Sequence, residues 1–187
     1  MSIGATVTGI PTTYRATLFR SRLEARWAAL FDLLSWDWVY EPLDADGYIP
    51  DFVITGERPL FVEVGPCITE RDYRDKARKA DAAVADIRAD LLVVGVTPHG
   101  RYSAGWLGEL FPVDEGEGWM FPSFAWAWAN WSTCGVCSRI AFHRSLASRP
   151  CGHYDAGDGG RYRGEPPDMA SLWSEAGNRV QWQPRRR

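Results

Sequence analysis

The sequence predicts an α/β fold, with an α-β-β-β-α-β core around a mixed sheet, and three observations carry that expectation. Residues 17–34 place apolar side chains at Phe19, Leu23, Trp27, Leu30 and Leu34, the spacing of one helical face. Three β-branched or aromatic runs follow, separated by turn-forming residues. A second amphipathic stretch over 69–88 then leads into LLVVGV at 91–96, a continuous apolar run of the kind a buried strand shows. A strand, a helix and a strand in that order imply a right-handed crossover between parallel neighbours.

Each element has a local reason. WVYEP at 38–42 reads as extended, Asp44-Ala45-Asp46-Gly47 as a turn and IPDFVI at 49–54 as a strand. Gly56-Glu57-Arg58-Pro59 turns the chain back into LFVEV at 60–64, giving an antiparallel pair. Thr69 is placed to cap the second helix, with Asp72 three residues on completing a capping-box-like start. Its apolar stripe is Tyr73, Ala77, Ala80, Val84 and Ile87. Beyond Arg101 the composition shifts. Residues 105–131 are Gly/Pro-rich and aromatic, with Trp106, Trp119, Trp126, Trp128 and Trp131, readable as stacking platforms for unpaired bases or as a packed interior. A helix over 167–176 and a terminal strand RVQW at 179–182 close the chain. The expected division is a flexible N-terminus at 1–14, a core at 15–115 and a smaller appended module at 116–187.

Composition bounds the function. At 187 residues the chain suits one domain with an accessory. A net charge of -3 and a pI near 5.6 argue against bulk electrostatics as the hold on nucleic acid, although Arg15, Arg20, Arg22 and Arg26 form a local basic patch. With no membrane-length apolar run and no charged n-region or apolar h-region at the N-terminus, the expectation is a soluble, cytoplasmic protein with no membrane partner. Among 21 basic residues only Lys76 and Lys79 are lysines, and both fall in one short segment. A GC-rich coding sequence accounts for the scarcity but not for that placement.

Three acids fall where metal chemistry needs them: Glu24 on the first helix, Asp51 after Pro50 at the head of a strand, and Glu63 on the adjacent strand. Phosphodiester hydrolysis uses divalent cations, and hard oxygen ligands from carboxylates and a backbone carbonyl suit Mg²⁺. Taken singly, Glu24 also fits a solvated residue paired with Arg20, Asp51 a turn cap and Glu63 a solvent-facing edge position.

Taken together, FRSRLEARW at 19–27, YEPLDADGYIPDFVI at 40–54 and LFVEV at 60–64, with a helix and an apolar strand after them, resemble the PD-(D/E)xK nuclease superfamily. The likeness spans residues 15 to 97, about half the chain. It implies a restriction-endonuclease-like fold and a metal-dependent DNA nuclease, with Glu24, Asp51, Glu63 and the carbonyl of Val64 holding Mg²⁺ or Mn²⁺. Small nucleases of this superfamily often come from phages or mobile elements, and often work as dimers or beside a partner protein. The chain departs from the family at the lysine: where the pattern asks for Glu-x-Lys, it reads Glu63-Val64-Gly65. Either the fold serves as a catalytically inactive nucleic-acid or protein-binding module, or the cation comes from elsewhere. At about 100° per residue, Lys76 lies about 60° from the centre of its helix's apolar stripe and Lys79 about 120°. Lys76 is therefore the first choice and Lys79 the reserve. The same arithmetic sets Glu24 about 100° from Leu23, at the flank of its helix's apolar face.

A second motif is Cys134-Gly-Val-Cys137, followed by Cys151-Gly-His153. Two thiolates on a tight knuckle and a second close ligand pair meet the needs of a closed, structural tetrahedral Zn²⁺ site. His143 is the alternative to His153 as fourth ligand. Cys67 has no placed histidine partner and reads as a small buried residue.

Overall fold

A computed structural model describes residues 9–42, 44, 47–56, 59–87, 90–100, 104–110, 124–134, 137–143 and 168–181; for 81–87, 109–110, 124–125 and 143 it describes the backbone alone. The described elements run in the order β1 (Thr12–Tyr14), β2 (Thr17–Phe19), α1 (Arg22–Leu33), β3 (Trp38–Tyr40), β4 (Phe52–Ile54), β5 (Leu60–Val64), α2 (Glu70–Ile87), β6 (Asp90–Val94), β7 (Gly105–Leu110), β8 (Phe124–Thr133), β9 (Ile140–His143) and α3 (Met169–Arg179). β1 and β2 form a hairpin, and β3 to β9 lie side by side in sequence order in one seven-stranded sheet. β5 and β6 are parallel, joined through α2, and every other neighbouring pair in the sheet is antiparallel. The expected α/β class and the α-β-β-β-α-β order of the first hundred residues are both present, as α1-β3-β4-β5-α2-β6.

Alternation along the strands sorts the sheet into two faces. Phe52, Ile54, Leu60, Val62, Val64, Leu92, Val94 and Leu107 pack with α1 and α3, burying Trp27, Phe31 and Trp173. Val53, Phe61, Leu91, Val93 and Trp106 point the other way, against Tyr73, Ala77 and Ala80 of α2. The α2 stripe read from the periodicity is thus the buried one over its described part.

Helix α1 begins at Arg22, not at Thr17. Ser21 caps it in extended conformation, its Oγ accepting from the Glu24 amide at 3.1 Å, and Thr17–Phe19 pairs with Thr12–Tyr14 instead. Phe19 keeps the helical spacing to Leu23 because it is buried in the same core, but from a strand. The Ser21 Oγ also donates to Glu24 Oε1 at 2.7 Å, so the cap doubles as a clamp on that carboxylate. Ser21→Ala is expected to cost about 1 kcal/mol of stability, a fall of about 3 °C in the unfolding midpoint, read by thermal denaturation.

At the other end of the chain, Arg179 completes α3 and Val180 caps it, so the strand expected at 179–182 does not begin there. α3 packs on α1, with Arg26 donating to the Trp173 carbonyl and stacking 4.0 Å from its ring centroid. Residues of the Trp-rich stretch continue the core sheet as β7 and β8. Trp106 and Trp131 are buried, Trp126 and Trp128 partly so, and Trp119 lies outside the described residues. Trp131 donates to the Pro98 carbonyl at 2.6 Å, and Trp106 meets Trp128 edge to face at 4.6 Å. These described tryptophans are therefore packing groups first.

Candidate active site

Asp51 and Glu63 meet because of strand register. Phe52 pairs with Val62, so one step further puts Asp51 across from Glu63, and both share the parity of the side chains that face α2. Both are buried, at 4% and 6% exposure, which excludes the solvent-facing reading of Glu63. A buried carboxylate needs partners, and each of these has them. Asp51 Oδ2 accepts from the Val64 amide at 2.7 Å, and Oδ1 takes Arg20 Nη2 at 2.6 Å. Glu63 Oε1 accepts from the Tyr48 hydroxyl at 2.7 Å, and Oε2 takes Lys76 Nζ at 2.7 Å. The same amine lies 4.0 Å from Asp51 Oδ2, between the two acids. Two carboxylates thus face two cations, Arg20 and Lys76.

Lys76 reaches the pair by running past Gly65. A Cβ at Gly65 would make ordinary contact with Lys76 Cδ and Cε at 3.6 Å and crowd Cys67 Sγ at 3.0 Å, so the lysine stem runs alongside the strand end. Gly65 is not among the positive-φ residues, so its missing side chain spares a close approach to the Cys67 sulfur and relieves no backbone strain. Lys79 is exposed and takes no part.

Glu24 is buried too, at 8%, but it is held separately, by Ser21 on one oxygen and by the Tyr40 hydroxyl at 2.7 Å on the other. That tyrosine oxygen accepts from the Arg20 amide at 3.2 Å, which ties Glu24 to the rim of the Asp51 site. Among the described residues, no three His, Cys, Asp or Glu side chains converge to hold a metal ion. The fit to a divalent ion therefore rests on the Asp51–Glu63 pair: hard oxygens, buried, adjacent, and mutually repulsive unless a cation stands near them.

The protonation pattern follows from the same contacts. Burial, and then the charge of Glu63, push the Asp51 carboxyl up to about 7, against the pull of Lys76 and the Val64 amide. Burial works against charge on Lys76, but Glu63 and Asp51 outweigh it and hold the amine above its ordinary value. Lys76 is therefore a cation at neutral pH, not a base. Burial and Glu63 likewise hold the Tyr48 phenol above its usual range, which keeps it a donor, and burial with Glu24 pushes Tyr40 up to about 12. Cys67 is buried beside Tyr73 and Ala77, and burial pushes its thiol up to about 11, so it packs and does not attack.

Tyr40, Tyr48 and Arg20 were not singled out as site residues from the chain, although Arg20 stood in the basic patch. Their contacts span 15 to 31 residues, and the one local signal was Tyr48 beside Pro50-Asp51. Of the second motif, Cys134 and Cys137 flank the turn between β8 and β9, where the Cys134 amide donates to the Arg139 carbonyl and the Ser138 amide to the Cys134 carbonyl, each at 2.8 Å. Both are thiols, Cys134 buried and Cys137 partly exposed. Cys151, His153 and the side chain of His143 lie outside the described residues. On the far flank of α2, Arg74, Arg78, Trp106 and Trp126 line a cleft of about 170 Å³. No helix among the described residues is long and apolar enough to cross a membrane. No family, curated protein or solved structure matches this chain.

Proposed function

We propose that this chain is a metal-dependent DNA nuclease with a restriction-endonuclease-like core, hydrolysing phosphodiester bonds at Asp51 and Glu63 with Lys76 as its displaced catalytic cation. The observation that carries the reading is the Lys76 amine, 2.7 Å from Glu63 and 4.0 Å from Asp51, its stem running beside Gly65. Two buried carboxylates set side by side cost stability that packing alone gives no reason to carry, and half-buried Lys76 brings them the donor that Gly65 cannot. That geometry favours catalysis over the inactive reading suggested by Gly65.

Mg²⁺ or Mn²⁺ bound by Asp51 and Glu63, with the Val64 carbonyl as the further oxygen implied by the resemblance, would polarise the phosphoryl oxygens and acidify a water. Lys76, held charged by the two acids, stabilises negative charge developing on the phosphate and orients the attacking water by donation. Tyr48 fixes the Glu63 carboxylate by a hydrogen bond to Oε1, and the Val64 amide fixes Asp51. Glu24, clamped by Ser21 and Tyr40, adds negative potential near Asp51 and holds the rim in place. Incubation of the protein with single-stranded, duplex and branched DNA, in Mg²⁺, Mn²⁺ or EDTA, tests the assignment. Cleavage of at least one form with either ion and none in EDTA is expected; absence of metal-dependent cleavage from all three forms refutes it.

For the β8–β9 turn the reading is a structural Zn²⁺ held by Cys134 and Cys137 with Cys151 and His153, His143 being the alternative fourth ligand. The support is the spacing of the two cysteines in the β8–β9 connection, with Cys134 bonded through its backbone to Ser138 and Arg139 and Cys137 next to Ser138. Elemental analysis is expected to find one zinc per chain, released by thiol modification together with a drop in the unfolding midpoint. A zinc-free, equally stable protein contradicts it.

A further inference from the structure

We infer that Arg20 is a displaceable counter-cation, which occupies Asp51 in the metal-free protein, yields Oδ1 to the incoming ion and turns its guanidinium to the DNA phosphate. The inference rests on the nuclease reading and adds a residue to which the resemblance gives no role. Both oxygens of Asp51 are engaged, but by unlike partners. Oδ2 accepts from the Val64 backbone amide, a buried bond that cannot be given up without distorting β5. Oδ1 is held by Arg20, whose side chain is 61% exposed at the rim. An ion approaching Asp51 from solvent meets the arginine first.

Charge points the same way. Asp51, Glu63, Glu24 and Glu41 set four acids against Arg20 and Lys76, so the site attracts a divalent ion, and that ion competes with Arg20 for the same Asp51 oxygen. Lys76 is 30% exposed and wedged against Glu63; Arg20 is the one with room to move.

Glu41 supplies the second anchor. Arg20 forks, with Nε 2.8 Å from Glu41 Oε1 while Nη2 sits on Asp51. Glu41 stands just after β3 at φ 43, in the left-handed region that a non-glycine residue enters only at a cost. Its amide donates to the Asp51 carbonyl at 3.0 Å, which fixes the strained residue beside the acid. When Oδ1 passes to the ion, Arg20 keeps Glu41 and presents a free edge of its guanidinium at the rim. A planar cation with unspent donors beside a phosphodiester site is a phosphate ligand.

The signature is a pair of opposite effects. Arg20→Ala is expected to bind Mn²⁺ three- to tenfold more tightly than wild type without DNA, because the competitor is gone. The same variant is expected to bind uncleaved DNA in Ca²⁺ more weakly, with a salt dependence shallower by about one phosphate contact. Arg20→Lys, a point charge on a shorter stem, cannot span Glu41 and Asp51 together and is expected to bind Mn²⁺ more tightly than wild type by a smaller factor. Titration calorimetry with Mn²⁺ on metal-free wild type, both Arg20 variants and Asp51→Asn reads the first effect, and DNA binding in Ca²⁺ over a salt series reads the second, unchanged DNA binding by Arg20→Ala overturning the phosphate role; circular dichroism checks folding, and if Arg20→Ala does not fold, the lysine variant decides. Wild type that binds Mn²⁺ as tightly as the Arg20 variants, or more tightly, overturns the inference while leaving the nuclease reading intact. Wild type that binds no Mn²⁺ at all overturns both.

Discussion

Asp51→Asn is expected to leave the protein folded and to lower Mg²⁺-dependent DNA cleavage by at least about 1000-fold, or about 4 kcal/mol of transition-state stabilisation. The substitution is close to isosteric: its amide oxygen can still accept from the Val64 amide as Asp51 Oδ2 does at 2.7 Å, and Arg20, which then meets the amide NH2, is 61% exposed and turns away to solvent and Glu41. What disappears is a negative charge that the fold holds at a cost, since burial and Glu63 already push that carboxyl up to about 7. Loss of activity should therefore come with a change in stability of no more than about 1 kcal/mol, a split typical of a position selected for chemistry and not for folding. Glu63→Gln is expected to lose activity similarly, because the Tyr48 and Lys76 contacts position an uncharged group in place of a ligand. Single-turnover cleavage rates beside thermal unfolding curves check both variants. Cleavage that persists in Asp51→Asn and Glu63→Gln alike sinks the assignment.

Lys76→Met should lower the cleavage rate by about 100-fold, the usual scale for removing one charged donor from a developing negative charge. Metal affinity, which depends on the two carboxylates, should not fall. Without metal the variant leaves Asp51 and Glu63 with one cation fewer, and a stability loss of about 1–3 kcal/mol is expected, within the penalty for an uncompensated buried group. Saturating Mg²⁺ should recover most of that loss, because the ion replaces the missing charge. Gly65→Lys combined with Lys76→Ala tests whether it is the position of the amine that matters. The Cβ at 65 must move the Cys67 sulfur from 3.0 Å by a few tenths of an ångström, but the lysine stem is gone and its channel is open. At least a tenfold recovery over Lys76→Met is expected from the double variant in the same assay. A Lys76→Met protein with wild-type rates would remove the lysine from the mechanism.

The parts of this molecule that could be read from the chain are those whose information is local. The α2 stripe of Tyr73, Ala77 and Ala80, the Thr69–Asp72 cap, and the angle that favoured Lys76 over Lys79 all follow from residues within one or two turns, and the described helix has them. The start of α1 is hidden in the chain because Phe19, Leu23 and Trp27 keep a spacing of four across Ser21. Only pairing with Thr12–Tyr14 reveals that Phe19 belongs to a strand. The end of α3 is hidden for a related reason: Arg179 and Val180 carry a strand-like pattern, yet the packing of α3 on α1 extends the helix through Arg179. Pairing of β7 with β6, which joins the Trp-rich stretch to the core sheet, links residues across a composition change, and nothing local announces it. The carboxylates of the site were visible through spacing and resemblance. Their partners Tyr40, Tyr48 and Arg20 were not, since each is brought in by the turn of the β3–β4 hairpin or the mouth of α1.

Anomalous diffraction from crystals grown with Mn²⁺ tests the central claim most directly, because it locates the ion without depending on the right DNA being at hand. The expected result is an anomalous peak in contact with the carboxylates of both Asp51 and Glu63, lost in Asp51→Asn, with the Lys76 amine beside it. A saturated crystal with no peak at that pair, or with manganese bound only elsewhere, contradicts the assignment of these residues as the metal centre of a nuclease.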